Sequence, residues 1–118
     1  LPVRRTGTNK VMFVEIFVGR SLSTNEQLEL ISCLGYSTTC IAEALAALYK
    51  LNPDRTRRMM AYVGPQYDLF PDNPRIASDA MREPAIPCLI QGTHSQTLTA
   101  ARLYDRWHQD YTLLAVQP

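Results

Sequence analysis

The chain has 118 residues, of which 46% are hydrophobic, so we expect one domain, residues 1–118, with a packed core rather than disorder. Twelve Lys and Arg against eleven Asp and Glu give a formal net charge of +1, which argues against a stand-alone nucleic-acid binder. No apolar run approaches the roughly 18 residues of a membrane span, and no signal peptide is visible. We therefore expect a cytoplasmic protein without a membrane segment.

The three cysteines, Cys33, Cys40 and Cys88, are scattered along the chain and form no C-x-x-C pair. The two histidines form no paired motif, so the sequence predicts no metal site. We expect buried, reduced thiols in a cytosolic protein, although one cysteine could link two subunits. No phosphate-binding glycine loop is present, and we expect no cofactor.

The polar residues 1–9 predict a frayed terminus. Residues 10–18 fit a strand by their β-branched and aromatic content, but their spacing also fits a helix, and periodicity alone cannot decide between the two. The next segment begins with Thr24-Asn25-Glu26-Gln27, which has the pattern of a helical capping box. Gly35 follows the apolar residues of that helix and suits a C′ position with positive φ.

A second helix is predicted from Cys40 to Lys50, where four alanines favour helix formation and close packing. Ile41, Leu45 and Leu48 recur at i, i+4 and i+7, which predicts a stripe that faces the core. Asn52 and the proline after it end this helix and start another, which we expect to extend over residues 55–62.

The second half of the chain is predicted to be a loop followed by a long helix. Gly64-Pro65 breaks the chain. Five prolines from Pro65 to Pro87, both included, indicate a segment that is largely loop. From Cys88 onward, Ile90, Thr97, Ala101 and Tyr104 lie on one helical stripe. Together these elements predict an all-α fold of about five helices, or four if residues 10–18 form a strand.

The densest basic run is Arg55-Thr56-Arg57-Arg58. On a helix, Arg55 and Arg58 share a face, whereas Arg57 points elsewhere. The run has two interpretations, a solvated helix face or a set of phosphate contacts. The helix–Gly35–helix segment is similar to a helix-turn-helix, and the basic run follows where the next helix would begin, although many helical hairpins share this pattern.

Several sequence blocks together suggest a family. In chain order they are Leu34-Gly35, Ile41-Ala42, Leu45-Ala46-Ala47-Leu48, Leu51 with Pro53, Met60-Ala61, the group Tyr67, Phe70 and Asp72, and His94-Ser95 followed at a fixed interval by Arg102-Leu103-Tyr104. In their order and spacing the chain resembles FlhD, a subunit of the bacterial flagellar master regulator. The resemblance covers about residues 28–104.

This resemblance implies an all-α fold and an intertwined homodimer of the FlhD type. It also implies a non-enzymatic subunit that binds promoter DNA together with an FlhC-like partner, which holds the zinc site. Such a complex activates flagellar or conjugative-transfer genes. A near-neutral chain fits this expectation, because a more basic partner would supply the electrostatic attraction to DNA.

Two residue sets follow from the basic run, the apolar stripe and the resemblance. The candidates for DNA contact are Arg55, Arg57, Arg58, His94 and Ser95. The candidates for the dimer interface or the core are Leu34, Ile41, Leu45, Leu48 and Phe70.

Two alternatives stay open. Val14–Ser21, followed by a helix, resembles the first strand and turn of the tautomerase superfamily, whose N-terminal proline acts as a base. Here Pro2 follows Leu1 and precedes the expected strand by about ten residues, so that base would be missing from this α/β enzyme. The other alternative is a helix-turn-helix regulator that binds DNA alone.

Overall fold

The computed structural model describes residues 2–8, 11–69 and 83–118. Within these ranges there are nine strands and two helices. They are β1 (Val3–Thr8), β2 (Val11–Phe17), β3 (Leu22–Ser23), α1 (Thr24–Cys33), α2 (Ile41–Leu51), β4 (Met59–Tyr62), β5 (Tyr67–Asp68), β6 (Pro84–Gln91), β7 (Gln96–Arg102), β8 (Arg106–Trp107) and β9 (Thr112–Gln117). Most of the regular structure is strand, so the predicted all-α fold is wrong.

The main sheet is mixed, with the order β1-β2-β9-β4-β6-β7. Neighbouring strands are antiparallel except β4 and β9, which are parallel. The short strand β5 pairs with the beginning of β6, along the same edge as β4. The strands β3 and β8 form a separate two-stranded ladder.

The edge formed by β4 and β5 is interrupted where β6 carries a proline. Val63 donates its backbone N–H to the Pro87 carbonyl at 2.9 Å, so Pro87 turns its backbone polar groups toward this interruption. The missing N–H of Pro87 therefore costs the sheet no ladder bond at this point. A Cβ on Gly64 would lie 3.0 Å from Pro87 Cγ, which explains why the smallest residue stands there. The loop predicted up to Pro87 is wrong from Pro84 onward, where β6 begins.

Alternate residues of the central strands point to opposite faces of the sheet, and each face packs against one helix. One face carries Val14, Met60 and Leu113, which pack with Ile31 of α1. The other face carries Phe13, Met59, Ala61 and Leu114, which pack with Ala44, Ala47 and Leu48 of α2. The described residues thus form three layers, with the sheet between two helices.

The helix α1 confirms the first predicted helix, with its capping box shifted by one residue. Ser23 is the N-cap: its hydroxyl accepts from the Glu26 backbone N–H at 3.2 Å, and the Glu26 carboxylate accepts from the Ser23 backbone N–H at 3.1 Å. Thr24 is buried instead, and its hydroxyl accepts from the Trp107 indole at 2.9 Å. Gly35 has a φ of 78°, which glycine adopts without strain.

The two remaining predicted helices are strands. The segment expected to form a third helix, residues 55–62, contains a turn followed by β4, whose four residues are all buried. The segment from Cys88 onward forms the β6–β7 hairpin instead of a long helix. Gly92 donates its backbone N–H to the Ser95 carbonyl at 2.8 Å and closes the hairpin turn, so the helical spacing of the apolar residues was coincidental. Without these helices the chain cannot form the intertwined all-α dimer implied by the resemblance.

The N-terminal segment is also more ordered than predicted. Residues 3–8 form β1, where we expected a frayed terminus, because β1 pairs along its whole length with β2. The uncertain segment 10–18 contains the strand β2, so its β-branched and aromatic composition was the better indicator.

The helix α2 occupies its predicted position but faces the sheet with different residues. Ala44, Ala47 and Leu48 are buried, whereas Ile41 and Leu45 are 40% and 41% exposed. Small alanine side chains let the helix approach the sheet closely, and this turns the larger residues of the predicted stripe toward solvent. Ile41 and Leu45 are therefore not core residues. Leu34 at the end of α1 is also exposed, and Phe70 lies outside the described residues.

The three thiols divide into two environments, which corrects the expectation that all are buried. Cys88 is buried in the sheet, and burial raises the pKa of its thiol to about 12. Cys33 and Cys40, at the ends of the two helices, are exposed. Neither helix of the described segments is long and apolar enough to cross a membrane.

Candidate functional site

The strand register brings two separate parts of the sequence to one end of the sheet. Met59, the first residue of β4, pairs with Gln91, the last residue of β6. Segment 52–58 therefore lies beside the hairpin turn 92–95, and we call these two segments together the loop end. They contain all five candidates for DNA contact, which are Arg55, Arg57, Arg58, His94 and Ser95.

Arg57 is held by a buried carboxylate. Its Nη1 lies 2.8 Å from Oε1 of Glu15, and its Nη2 donates to the Leu51 carbonyl at 3.0 Å. Glu15 is fully buried in β2, and its Oε2 has no hydrogen-bond partner within the described segments, although Arg4 Nη1 lies 3.9 Å away. The charge of Arg57 is thus largely neutralised, and its side chain ties the end of α2 to the sheet.

Beside Arg57 lies a cavity of about 460 Å³, which we call the arginine cleft. It is lined by Phe17, Thr56, Arg57, Arg58, Thr93, Asp110 and Thr112. Arg58 and the three threonine hydroxyls can donate hydrogen bonds to an anion. Asp110 carries the opposite charge at the same cleft, and its Oδ2 lies 3.2 Å from Nδ1 of His108. The cleft is therefore lined mainly by polar side chains and has little net charge.

On the other side of segment 52–58 is a second cavity, of about 280 Å³, which we call the amide cavity. Its lining includes Leu45, Tyr49, Asn52, Arg55, Gln91 and Gln96. Leu45 and Tyr49 belong to the outer face of α2, whereas Gln91 and Gln96 face each other across the β6–β7 hairpin.

Two buried amides form the inner wall of the amide cavity. Asn52 and Gln91 are only 2% and 3% exposed. Asn52 Nδ2 donates to Gln91 Oε1 at 2.9 Å and to the Arg57 carbonyl at 2.8 Å. Asn52 Oδ1 accepts from the Arg57 backbone N–H at 3.3 Å. Both amides are therefore fixed in orientation by the loop that separates the two cavities.

Arg55 has a strained backbone at the rim of the amide cavity. Its φ is 52°, in the left-handed region that residues other than glycine rarely occupy. Its backbone N–H donates to the Asn52 carbonyl at 3.1 Å, which closes the turn after α2. Such strain costs on the order of 1 kcal/mol and is concentrated at functional sites.

Four residues of this site were not predicted from the sequence, namely Glu15, Tyr49, Asn52 and Gln91. Glu15 and Gln91 did carry a signal, since each is a polar residue in an otherwise apolar strand. A buried polar side chain needs a partner, and such a residue in a strand therefore marks a specific interaction. For Gln91 this signal could not be recognised, because the segment from Cys88 onward was predicted to be a helix and not a strand.

The structure also changes the comparison with tautomerases. The strand of that comparison is β2, which begins at Val11, about ten residues after Pro2 as expected, but an additional strand, β1, begins directly after Pro2. The Pro2 carbonyl accepts from the Phe17 backbone N–H at 3.1 Å, so Pro2 lies at the edge of the β1–β2 pair.

Comparisons with known proteins give no family for the chain. No protein-family model, no curated protein and no solved structure matches it. In the described parts of the chain, no group of three His, Cys, Asp or Glu side chains could hold a metal ion.

Proposed function

We propose that the chain binds the phosphate backbone of nucleic acid at the loop end. The observation that supports this most is the pairing of Met59 with Gln91, which brings the basic run 55–58 next to the turn that contains His94 and Ser95. Arginine guanidinium groups and hydroxyl groups are the usual donors to phosphate oxygens. Arg58 and the threonines of the arginine cleft provide both.

The charges of the loop end indicate weak binding. Arg57 is paired with Glu15, which leaves Arg55 and Arg58 without an ion-pair partner among the described residues. Two phosphate contacts to a single strand give a slope of log K against log salt of about −1.4. Affinity should therefore fall only about sevenfold between about 50 and 200 mM salt.

This proposal does not depend on the resemblance to FlhD. That resemblance implied helices where the structure has β4, β6 and β7, so it no longer supports an FlhC-like partner. Promoter activation, the homodimer and the partner stay predictions from the sequence. The two exposed free thiols, Cys33 and Cys40, favour a reducing compartment, and we propose a cytoplasmic location.

The test is fluorescence anisotropy with a labelled single strand of about twelve nucleotides, measured across a salt series. Arg58→Ala should weaken binding severalfold and make the salt slope shallower by about 0.7, because one phosphate contact is lost. Arg102→Ala is the matched control. It removes the same charge at the far end of β7, where Arg102 pairs with Glu83 at 3.2 Å. Equal binding by both variants and the wild type would refute a phosphate site at the loop end.

A further inference from the structure

We propose that the amide cavity is a binding site for one unpaired nucleobase. The inference rests on the proposed function, since the base would belong to a strand whose phosphates contact the loop end. It adds a specific ligand group and a preference for single strands, which phosphate contacts alone do not give.

The orientation of Gln91 is the first argument. Asn52 uses one Nδ2 hydrogen on the Arg57 carbonyl and the other on Gln91 Oε1. This fixes the oxygen of Gln91 as the acceptor and leaves its amide nitrogen with two N–H donors at the cavity wall. Gln91 is 3% exposed, so it is shielded from bulk water yet lines the cavity. These donors can bond an acceptor that enters the cavity, and nucleobase edges present carbonyl oxygens and ring nitrogens.

Tyr49 is the second argument. Its side chain is 80% exposed although it lines the same cavity, with the aliphatic side chain of Leu45 one helical turn away. The ring is therefore accessible to a ligand, and what distinguishes Tyr49 from other exposed aromatic residues is its position at the cavity beside the Gln91 amide. Aromatic rings that stack on bases, next to polar groups that bond base edges, are the usual way in which proteins bind unpaired bases.

The size and charge of the cavity agree with a base rather than a larger ligand. Its volume of about 280 Å³ is at the lower limit of typical ligand pockets, which fits one planar ring system. Arg55 stands at the rim, where the phosphate attached to the base would lie, and the backbone hydrogen bond from Arg55 to the Asn52 carbonyl holds the turn that places it there. Segment 52–58 lines both cavities. A nucleic-acid strand that crosses this segment can therefore place a base in the amide cavity and a phosphate in the arginine cleft.

A base in a duplex cannot use this site, because its pairing edge and both of its faces are already occupied. The protein should therefore prefer single strands to duplexes. It should also prefer strands with bases to abasic strands of equal length.

The experiment compares the affinity for oligothymidylate of about twelve nucleotides with that for an abasic strand of the same length. The wild type should bind the thymidylate strand about tenfold more tightly, which is within the range of base–aromatic stacking. Tyr49→Ala should remove this preference and keep the affinity for the abasic strand. Tyr104→Ala is the matched control, since Tyr104 is 84% exposed but lies beyond the opposite end of β7.

Gln91→Glu tests the donor pair. The substitution keeps an oxygen for Asn52 but replaces the N–H donors with a second oxygen, so the base preference should also be lost. Because Gln91 is buried, an independent measurement is needed in case this variant unfolds. Titration of the wild type with thymidine monophosphate should shift the side-chain amide NMR signal of Gln91, and should leave that of Gln109 unchanged.

The outcomes separate the two proposals. Equal affinity of the wild type for both strands would overturn the nucleobase site and leave phosphate binding intact. No affinity for either strand would overturn the proposed function as well. If Tyr49→Ala removes the preference while the Gln91 signal stays unchanged, the base stacks on the surface and not in the amide cavity, which also overturns the inference.

Discussion

The two faces of the sheet each carry a buried polar network, and the networks differ in how far they are closed. On the α1 face, the Tyr62 hydroxyl donates to Gln27 Oε1, and the Trp107 indole donates to Thr24. Both hydrogen bonds join a side chain of α1 to a side chain of a strand, Tyr62 in β4 or Trp107 in β8. On the α2 face, Glu15 retains an oxygen without a hydrogen-bond partner among the described residues, and the Gln91 amide lines a cavity.

This difference shows which buried polar groups serve the fold and which are available for a ligand. In a closed network the donors and acceptors bond each other, so the network specifies one packing arrangement and leaves no group to bind a ligand. An open network retains unused donors or acceptors, which are unfavourable unless water or a ligand satisfies them. Two substitutions test this comparison directly, and two further substitutions test exposed sites beside the networks, all in order of decreasing effect on stability.

Arg57→Ala should have the largest effect on stability. It leaves the Glu15 carboxylate buried without its nearest cation, which typically costs about 3–5 kcal/mol. Urea denaturation measures the loss. The double variant Glu15→Leu with Arg57→Leu should recover most of it, because no buried charge remains. Arg4→Ala is the control, and we expect less than about 1 kcal/mol, since Arg4 is exposed and 3.9 Å from Glu15. A fully stable Arg57→Ala would show that the α2 network is not structural.

Tyr62→Phe tests the closed network. The change leaves the Gln27 oxygen buried without its donor, so we expect a loss of about 1–3 kcal/mol in the free energy of unfolding. Affinity for nucleic acid should not change, and a change would show that the α1 face takes part in binding. Burial also raises the pKa of the Tyr62 phenol, so the folded wild type and Tyr62→Phe should give the same spectroscopic titration in the alkaline range.

Arg55→Gly should stabilise the protein by up to about 1 kcal/mol, because glycine adopts the positive φ of this position without strain. Arg55→Ala retains the strain and should not stabilise. Thermal unfolding compares the two variants. Both should bind nucleic acid more weakly than the wild type, since both lack the guanidinium group. Equal stabilities of the two variants would mean that the backbone of residue 55 is not strained.

Glu26→Gln should have the smallest effect, and it should depend on pH. The backbone N–H of Ser23, followed by its side chain, lowers the pKa of the Glu26 carboxyl below its ordinary value. A lowered pKa in the folded state stabilises the protein above the unfolded pKa, and this contribution disappears as the pH falls through the folded value. The variant should therefore be less stable than the wild type at neutral pH, and equally stable in acid. Denaturation curves at both pH values measure this, and a difference that persists in acid would contradict the capping role.

The sequence predicted the two helices because their signals are local. The capping box, Gly35 and the alanine-rich run each act within a few residues, so neighbouring chain segments hardly affect them. The orientation of α2 was not predictable in this way. Whether Ile41 and Leu45 or Ala44 and Ala47 face the sheet depends on how closely the helix can approach it.

The strands were mostly missed because their pairing is not local. The strand β4 forms between β9 and β6, and nothing within residues 55–62 specifies those neighbours. The loop end could be predicted only in part. The arginines were identified from their composition, but their proximity to His94 and Ser95 depends on the register of β4 and β6. The amide cavity requires Gln91 to lie in a strand, so it could not be predicted from a helical assignment of this segment.

The position of β9 has a consequence for the order of folding. This strand follows the other described strands in the chain, yet it lies between β2 and β4 in the sheet. Until the ribosome has released residues 112–117, β2 and β4 each have an unpaired edge and cannot form a continuous sheet. The central pairing joins segments about a hundred residues apart, which predicts that its formation is slow. During synthesis the open edges would be a target for chaperones and a risk for aggregation.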